Sequence, residues 1–256
     1  LIIPLIIITL LVIALQRNTI WHNSISLWTD GIKKSPKKSR VYGSLASAYN
    51  NEGSINEALR YYNLGISLDP KFADLYNNRG NIYIKMGLYN KALEDFTIAI
   101  SLKPDFSEAY NNRGIAYFNL GNLETALNEH SRAINIKPLS ESAFNNRGVV
   151  YYEIGEYDRA INDYTIAISL KPDFVQAYNN RGNAYSEKGM LNLAIDDYNR
   201  AIMIDPSYSD AYYNRGLVFL KSQNIKSAFD DFKRACELGS HAGCWALKNI
   251  NANEFK

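Results

Sequence analysis

The sequence predicts an all-α protein, a right-handed α-solenoid of antiparallel helix pairs preceded by a truncated transmembrane helix. Three observations predict it. Prolines recur at one fixed interval from Pro36 to Pro206, and glycines and alanines recur at the same interval. A period of roughly 34 residues is the signature of stacked structural repeats. The first fifteen residues are almost entirely apolar, as expected for the end of a membrane-spanning helix.

Each recurring residue has a physical reason, which residues 73–106 illustrate. Gly80 has no side chain, so a second helix can approach the first at this point. Gly87 ends the first helix in the manner of a C-terminal cap, and Pro104 ends the second because it cannot continue a helix. Phe96 lies between small residues on one face of the second helix, which is typical of a packed core.

This pattern resembles the tetratricopeptide repeat (TPR) family over about 200 residues. The resemblance implies a TPR superhelix in which the first helices of successive pairs line a binding groove. The last repeat departs from the pattern, with Gln223 for the turn glycine and Ser240 for the proline, as expected for a terminal unit. The predicted repeats are 39–72, 73–106, 107–140, 141–174, 175–208 and 209–242, with a capping helix and tail at 243–256.

The N-terminal residues predict two further segments. Residues 1–16 are expected to be the end of a transmembrane helix, because fifteen helical residues cover only about 22 Å of a roughly 30 Å hydrocarbon core. A processed or engineered N-terminus is the alternative. Residues 17–38 are expected to form an interfacial segment and a half-repeat, since Pro36 continues the proline ladder upstream.

The same segment carries a second resemblance. Arg17, Trp21, Trp28 and Pro36, between an apolar helix and the repeats, resemble the membrane-proximal end of multi-pass membrane proteins with C-terminal TPRs, the O-mannosyltransferase type. That resemblance implies a catalytic part upstream and repeats outside the cytoplasm. Five basic residues between Lys33 and Arg40 favour the opposite orientation. We expect a membrane-anchored protein whose repeats are extracytoplasmic, in the periplasm or a lumen.

The two cysteines bear on the same question. Cys236 and Cys244 resemble those of the cysteine-rich helical repeats of some secreted bacterial proteins, in which this spacing bridges adjacent helices. The resemblance implies a possible disulfide and an oxidising compartment. Two buried free thiols are the alternative.

Two columns of charged residues vary together. Five repeats carry an arginine before the helix-contact glycine and an acid sixteen residues later, whereas the first repeat has Leu45 and Tyr61 at these positions. This co-occurrence predicts structural ion pairs within each repeat; an arginine ladder that binds a ligand is the alternative. The pairs are Arg79 with Asp95, Arg113 with Glu129, Arg147 with Asp163, Arg181 with Asp197, and Arg215 with Asp231.

Asparagines form the candidate binding site. They resemble the asparagine ladder in the TPR superhelix of O-linked GlcNAc transferases, which implies that they hold a peptide by its main chain. An amide offers donors and an acceptor and so suits this contact; packing between repeats is the alternative. One row is Asn78, Asn112, Asn146, Asn180 and Asn214, and the accompanying row is Asn77, Asn111, Asn145 and Asn179. More variable neighbours at positions such as 183, 187, 217 and 221 would provide specificity.

The sequence contains no motif for catalysis. The three histidines are dispersed, with His130 at a core position, and no metal-binding, phosphate-binding or nucleophile motif is present. A net charge of +2 argues against a nucleic-acid partner. We therefore expect a non-enzymatic scaffold with no cofactor, no metal and no small-molecule substrate. Its groove would bind a peptide or protein partner; the alternatives are a substrate-recruiting or regulatory tail of a membrane glycosyltransferase and a homo-oligomeric assembly surface.

Overall fold

The computed structural model describes residues 23–254, and within that range it consists of α-helices and turns without a β-strand. The described helices are 11 to 14 residues long. Their bounds are α1 Ser24–Lys34, α2 Ser39–Asn51, α3 Ile55–Leu68, α4 Ala73–Lys85, α5 Tyr89–Leu102, α6 Ser107–Asn119, α7 Leu123–Ile136, α8 Glu141–Glu153, α9 Tyr157–Leu170, α10 Val175–Glu187, α11 Leu191–Ile204, α12 Ser209–Lys221, α13 Ile225–Glu237 and α14 His241–Glu254.

The chain is divided into two compact units, the first ending at Leu120 and the second beginning at Gly121. The division falls inside the predicted repeat 107–140, between α6 and α7. In the first unit α4 contacts both α2 and α6, and in the second α8, α10, α12 and α14 contact one another in turn. The first helices of successive pairs therefore lie side by side in each unit. We call the surface that they form the first-helix face.

In four of the described pairs, close helix packing depends on a glycine opposite an aromatic ring. A Cβ atom on Gly80 would lie 2.6 Å from Cε1 of Phe96, and one on Gly148 would lie 2.7 Å from Cε1 of Tyr164. Both rings are buried. A side chain at either glycine would have to displace a core ring, which typically costs about 1–3 kcal/mol.

The turn inside each pair adopts a left-handed backbone conformation. The five turn glycines from Gly53 to Gly189 have φ between 71° and 83°. Gln223 takes the same conformation in the last repeat, with φ of 60°. The atypical residue therefore preserves the turn, at the steric cost that a side chain meets in this region.

The last helix takes the position of a first helix in a further pair. It packs against α13 and contacts α12. The connection from α13 turns at Gly239, with φ of 90°. It is one residue shorter than the other connections between pairs, and α13 is one residue shorter than the second helices of the other repeats, so α14 begins two residues early relative to the repeat period. A Cβ atom on Gly243 would lie 2.6 Å from Cβ of Ala235, which shows how closely α14 approaches α13.

The first described helix, α1, packs on α2 in the position of a second helix. Its Gly31 faces Val41, with the added Cβ 3.0 Å from Cγ1. The side chain of Asn23 caps its first turn by accepting from the backbone N–H of Ser26 at 2.9 Å. The predicted end of a transmembrane helix, residues 1–16, lies outside the described residues, as does Trp21.

The predicted membrane-anchored, extracytoplasmic localisation is wrong and is corrected here. No helix in residues 23–254 is long and apolar enough to cross a bilayer. The described helices have at most 14 residues, whereas a spanning helix needs about 20 predominantly apolar ones. The extracytoplasmic side was expected from the resemblance to membrane proteins and from the two cysteines, and it is withdrawn together with the anchor.

Candidate functional site

The two asparagine rows lie at different depths of the first-helix face. Asn77, Asn111, Asn145 and Asn179 are buried, with at most 9% of their surface exposed. Asn78, Asn112, Asn146, Asn180 and Asn214 are half-buried. Only this outer row presents part of its amide groups to solvent. Position 213, where the buried row would continue, is a tyrosine.

The amides of the two rows bond one another between repeats. Asn112 donates from Nδ2 to Oδ1 of Asn77 at 3.0 Å in the first unit. In the second unit Asn180 donates to Asn145 at 3.2 Å, and Asn214 donates to Asn179 at 3.0 Å. The buried row thus supplies the acceptors that fix the outer row. This is the arrangement expected from packing between repeats.

The interrepeat bonds leave hydrogen-bonding capacity on Asn180 and Asn214 of the outer row. Asn78 and Asn146 differ, because their Oδ1 atoms accept from Asn77 at 3.3 Å and from Asn145 at 3.4 Å. A carboxamide has two N–H donors and an oxygen with two lone pairs. Asn180 and Asn214 each use one N–H in the bonds above, and the described residues show no second side-chain bond from either. One donor and the carbonyl oxygen of each amide can therefore serve a guest.

Four predicted arginine–acid pairs form two-pronged contacts within their own repeats. Arg147 donates from Nε to Oδ2 of Asp163 at 2.7 Å and from Nη2 to Oδ1 at 2.9 Å. The corresponding distances in the other three pairs lie between 2.7 and 2.8 Å; the pairs are Arg79 with Asp95, Arg181 with Asp197, and Arg215 with Asp231. The fifth predicted pair, Arg113 with Glu129, joins residues of the two different units and stays a prediction.

Each of these arginines also reaches the preceding repeat, a contact that was not predicted from the sequence. Nη1 of Arg181 donates to Oγ1 of Thr165 at 3.0 Å, sixteen residues upstream. The other arginines bond the equivalent positions, Asn63, Thr97, Ser131 and Asn199. A sequence signal existed, because this column is small and polar in five repeats and becomes Lys233 only in the last one, which no arginine follows.

The guanidinium groups are also flanked by aromatic rings. Cζ of Arg147 lies 5.6 Å from the ring centre of Phe144 and 5.8 Å from that of Tyr151. The hydrogen bond to Asp163 raises the pKa of Arg147 further above its ordinary value, although burial opposes the shift. Burial raises the pKa of Asp95, against the lowering effect of Arg79. The arginines are thus bonded within the repeat, bonded to the preceding repeat and stacked.

His130 replaces the aromatic core residue of the other repeats and is almost fully buried. Burial lowers its pKa to about 3, and the positive charge of Arg147 contributes to the shift. The imidazole is therefore neutral at pH 7. In residues 23–250 no group of three or more histidine, cysteine, aspartate or glutamate side chains could hold a metal ion.

Two adjoining pockets open on the first-helix face of the second unit. The first has a volume of about 380 Å³, and its lining includes Asn183, Ser186, Tyr198 and Asn214 together with the charged Glu187 and Lys221. We call it the polar pocket. The second has a volume of about 420 Å³ and lies against α14, with Phe232, Trp245 and Ala246 among its lining residues. We call it the apolar pocket; Leu217 and Leu220 line both.

The two cysteines form a disulfide that joins the end of α13 to α14. Their Cα atoms are 4.5 Å apart. The bond therefore fixes the helix that forms one wall of the apolar pocket.

The helix pairs and the first-helix face define a helical-repeat scaffold, and sequence comparison identifies its family. Models of the TPR repeat match residues 46–87, 116–155, 150–189 and 182–223, and tetratricopeptide repeat models also match 73–106, 96–128 and 209–238. The chain belongs to the tetratricopeptide repeat family, whose members are generally protein-interaction scaffolds. No curated protein sequence matches it.

Solved structures agree with this fold. The chain is similar to one in the APC/C hetero-tetramer Cut9-Hcn1, with a TM-score of 0.81 and 20% identity over 89% of this chain and 46% of that chain. It therefore spans less than half of that relative. It is similar to MamA, with a TM-score of 0.55 and 30% identity over 63% of this chain and 95% of MamA. A third similar structure is that of YrrB, with a TM-score of 0.53 and 22% identity over 72% of this chain and 95% of YrrB.

The comparisons give no support to the second resemblance, to membrane proteins of the O-mannosyltransferase type. Every matching family model is a tetratricopeptide repeat, and none extends upstream of residue 46. Of the residues on which that resemblance depended, Arg17 and Trp21 lie outside the described part of the chain. Trp28 lies within α1, which packs as part of the repeat array.

Proposed function

We propose that the first-helix face binds an extended peptide or partner segment through its main chain. The observation that supports this is the outer asparagine row, which recurs in five of the six repeats and whose members Asn180 and Asn214 are held in place by the buried row. The donor and the carbonyl oxygen that these two amides keep match the N–H and C=O groups of an extended chain. Such contacts do not depend on the side chains of the ligand.

The position of the row also favours this function. The outer amides are ordered before any ligand binds, so binding does not have to fix them, and preorganisation of this kind reduces the entropic cost of association. YrrB is a TPR protein with an unusual peptide-binding site. We extend that class of ligand, though not its site, to this chain.

We further propose that the arginine–acid pairs are structural and do not bind ligand. In the four described pairs the guanidinium already donates to its own repeat and to the preceding one and lies against aromatic rings. A ligand carboxylate would have to displace Asp163 or its equivalents, which are buried. The ion pairs thus hold the outer asparagine, one residue earlier in the chain, at a constant orientation.

The test is binding of the full chain to an immobilised library of random octapeptides, with a matched library that carries N-methyl groups on alternate amides. N-methylation removes main-chain donors and leaves the side chains unchanged. We expect binding to the unmodified library and its loss with the methylated one. Equal binding to both libraries would show that the main chain is not recognised.

Two double variants distinguish contact from packing. Asn180→Ala with Asn214→Ala removes outer amides and should weaken binding about tenfold or more, the change that corresponds to about 1.4 kcal/mol. Asn145→Ala with Asn179→Ala removes the buried acceptors of the same bonds and leaves the outer amides in place. The second variant should lower stability with a smaller effect on affinity. If both weaken binding equally, the outer amides act only through packing.

A further inference from the structure

The apolar pocket occupies the place of the polar pocket one repeat later, with its polar groups exchanged for apolar ones. Asn183, Ser186 and Tyr198 of the polar pocket correspond in the next repeat to Leu217, Leu220 and Phe232. Each pocket is also lined by the sixth residue of the next first helix. This residue is Asn214 of α12 in the polar pocket and Ala246 of α14 in the apolar pocket. Four polar contributors thus become apolar at the same place in consecutive repeats.

The exchange removes a side-chain hydrogen bond from the pocket. In the polar pocket the Tyr198 hydroxyl donates to Oδ1 of Asn183 at 2.8 Å. Phe232 and Leu217, at the corresponding positions, have no polar side-chain atom. Asn249 also lines the apolar pocket, but its Nδ2 donates to the backbone carbonyl of Trp245 at 2.8 Å in its own helix.

The pocket also lacks charge, in contrast to its neighbour. None of its lining residues is ionised at neutral pH, whereas Glu187 and Lys221 border the polar pocket 3.9 Å apart. An ionised side chain placed in the apolar pocket would be desolvated without a partner, which is strongly unfavourable. The chemistry of the walls therefore selects an uncharged ligand group.

Apolar side chains are exposed around this pocket. Trp245 is 69% exposed, Ile225 39% and Leu217 37%, although Phe232 at its base is fully buried. Clustered exposed apolar side chains on a folded protein indicate a contact surface. The volume of about 420 Å³ exceeds the roughly 150 Å³ at which an apolar cavity accepts a benzene-sized ligand.

We propose that the apolar pocket receives one uncharged apolar side chain, aromatic or branched aliphatic, of the extended peptide that lies on the first-helix face. This inference rests on the proposed function and adds to it a preference for the side chain of one peptide residue. The two sites are continuous, because Asn214 of the outer row lines the polar pocket, and Leu217 and Leu220 line both pockets. A chain held by the outer amides of the second unit therefore passes the apolar pocket.

Trp245 provides the measurement. Trp21→Phe with Trp28→Phe leaves it as the only tryptophan of the chain. This protein is titrated with octapeptide libraries, otherwise random but free of tryptophan, whose fifth residue is fixed as Leu, Phe, Asn, Lys or Glu. We expect a saturable change in Trp245 emission, with Leu and Phe about tenfold tighter than Asn and the charged residues weakest. Equal affinity for all five libraries would overturn the proposal.

Variants copied from the preceding repeat supply the controls. Leu217→Asn with Phe232→Tyr installs in the apolar pocket the pair that the fold already accommodates as Asn183 and Tyr198. It should remove the preference for Leu and Phe and leave the N-methylation effect intact. Asn183→Leu with Tyr198→Phe makes the reverse exchange in the polar pocket and should strengthen the preference. A preference unchanged by both variants would place the apolar contact elsewhere.

The outcomes separate this inference from the proposed function. Loss of binding on N-methylation without any preference at the fixed position would leave main-chain binding in place and refute the apolar pocket as a subsite. A concentration-dependent shift of Trp245 emission without peptide, with dimers seen in sedimentation, would make a second copy of the chain the occupant and overturn the proposal. Failure of every library to bind would overturn both.

Discussion

Arg147 and Asp163 face each other across one helix pair in a two-pronged contact, with Nε to Oδ2 at 2.7 Å and Nη2 to Oδ1 at 2.9 Å. The carboxylate is almost completely buried, and the arginine side chain is 20% exposed. The third nitrogen, Nη1, donates to Oγ of Ser131 at 3.2 Å in the preceding repeat. One arginine therefore connects both helices of its own pair to the pair before it.

Removing one partner of this contact should be costly. In Asp163→Ala the guanidinium loses its acceptors and stays partly buried, and breaking such a pair typically costs about 3–5 kcal/mol. We expect a fall of this size in the free energy of unfolding, measured by urea denaturation monitored by circular dichroism. A loss below about 1 kcal/mol, the range of a solvent-exposed pair, would show that solvent replaces the carboxylate.

The first repeat supplies the matched rescue. It has Leu45 and Tyr61 at the two positions, and Tyr61 stacks on Tyr49 with ring centres 5.4 Å apart. Arg147→Leu with Asp163→Tyr copies this pair next to Tyr151, the counterpart of Tyr49. Because apolar pairs often replace buried ion pairs at little cost, the double variant should recover much of the loss. If it is no more stable than Asp163→Ala, the two side chains are not coupled.

His130 should make the fold sensitive to mild acid. Its pKa is lowered to about 3 in the folded chain, mainly by burial, and is about 6.5 in an unfolded one. Protons therefore bind the unfolded state preferentially between these values, so stability is complete above pH 6.5 and falls as the pH drops below it. From pH 7 to pH 5 this single group should remove about 2 kcal/mol of stability.

His130→Phe tests this effect, because phenylalanine occupies the equivalent core position in two other repeats, as Phe96 and Phe232. The variant should lose about 2 kcal/mol less than the wild type between pH 7 and pH 5, because it has no imidazole to protonate on unfolding. The comparison cancels the contribution of carboxylates such as Asp95, which titrate in both proteins. Parallel pH profiles would show that His130 gains its proton without unfolding.

The periodicity of the sequence was sufficient to predict the helix pairs and the family. It placed Gly80 where the second helix approaches and Phe96 in the core, but it did not predict that these two residues touch. The contacts between repeats were harder to predict. One partner was expected for each arginine, although a guanidinium has five donors, and residues such as Thr165 were therefore not considered.

The apolar pocket could not be found from the repeat period. Its wall depends on α14, which begins two residues early because α13 and the connection at Gly239 are each one residue shorter than their counterparts. This displacement places Ala246 opposite Leu217 in the role that Asn214 has one repeat earlier. The predicted localisation was wrong. It relied on hydropathy at the N-terminus, on a short resemblance and on the two cysteines, whereas no described helix is long and apolar enough to cross a bilayer.

Replacing Gln223 by glycine should stabilise the fold. The φ of 60° at Gln223 lies in the region where a side chain costs about 1–2 kcal/mol, and the five equivalent turns from Gly53 to Gly189 have glycine. Gln223→Gly should raise the free energy of unfolding by roughly 0.5–1 kcal/mol, because the added freedom of the unfolded glycine offsets part of the gain. Gly189→Gln makes the opposite change in an open turn and should lower stability. Two shifts of the same sign would exclude backbone strain as the cause.

The disulfide should stabilise α14 more than the rest of the second unit. Cys236 and Cys244 close a short loop with a sequence separation of 8, for which the chain-entropy relation gives about 2–3 kcal/mol. Among the described helices, α14 packs mainly against α13 and makes a lesser contact with α12. Local opening of α14 should therefore become easier without the bond.

Hydrogen exchange can locate the effect of the disulfide. In Cys236→Ala with Cys244→Ala, amide protection in residues 241–250 should fall by about tenfold or more, while α10 and α11 keep theirs, because local openings differ in free energy along one chain. Reduction of the wild type with dithiothreitol should reproduce the change, and dithiothreitol should not affect the variant. Because α14 forms a wall of the apolar pocket, its opening also moves Trp245 and Ala246 out of contact with the ligand. The variant should consequently lose the preference for an apolar side chain. It should still bind the peptide main chain through Asn180, because that residue lies on a helix that the disulfide does not constrain.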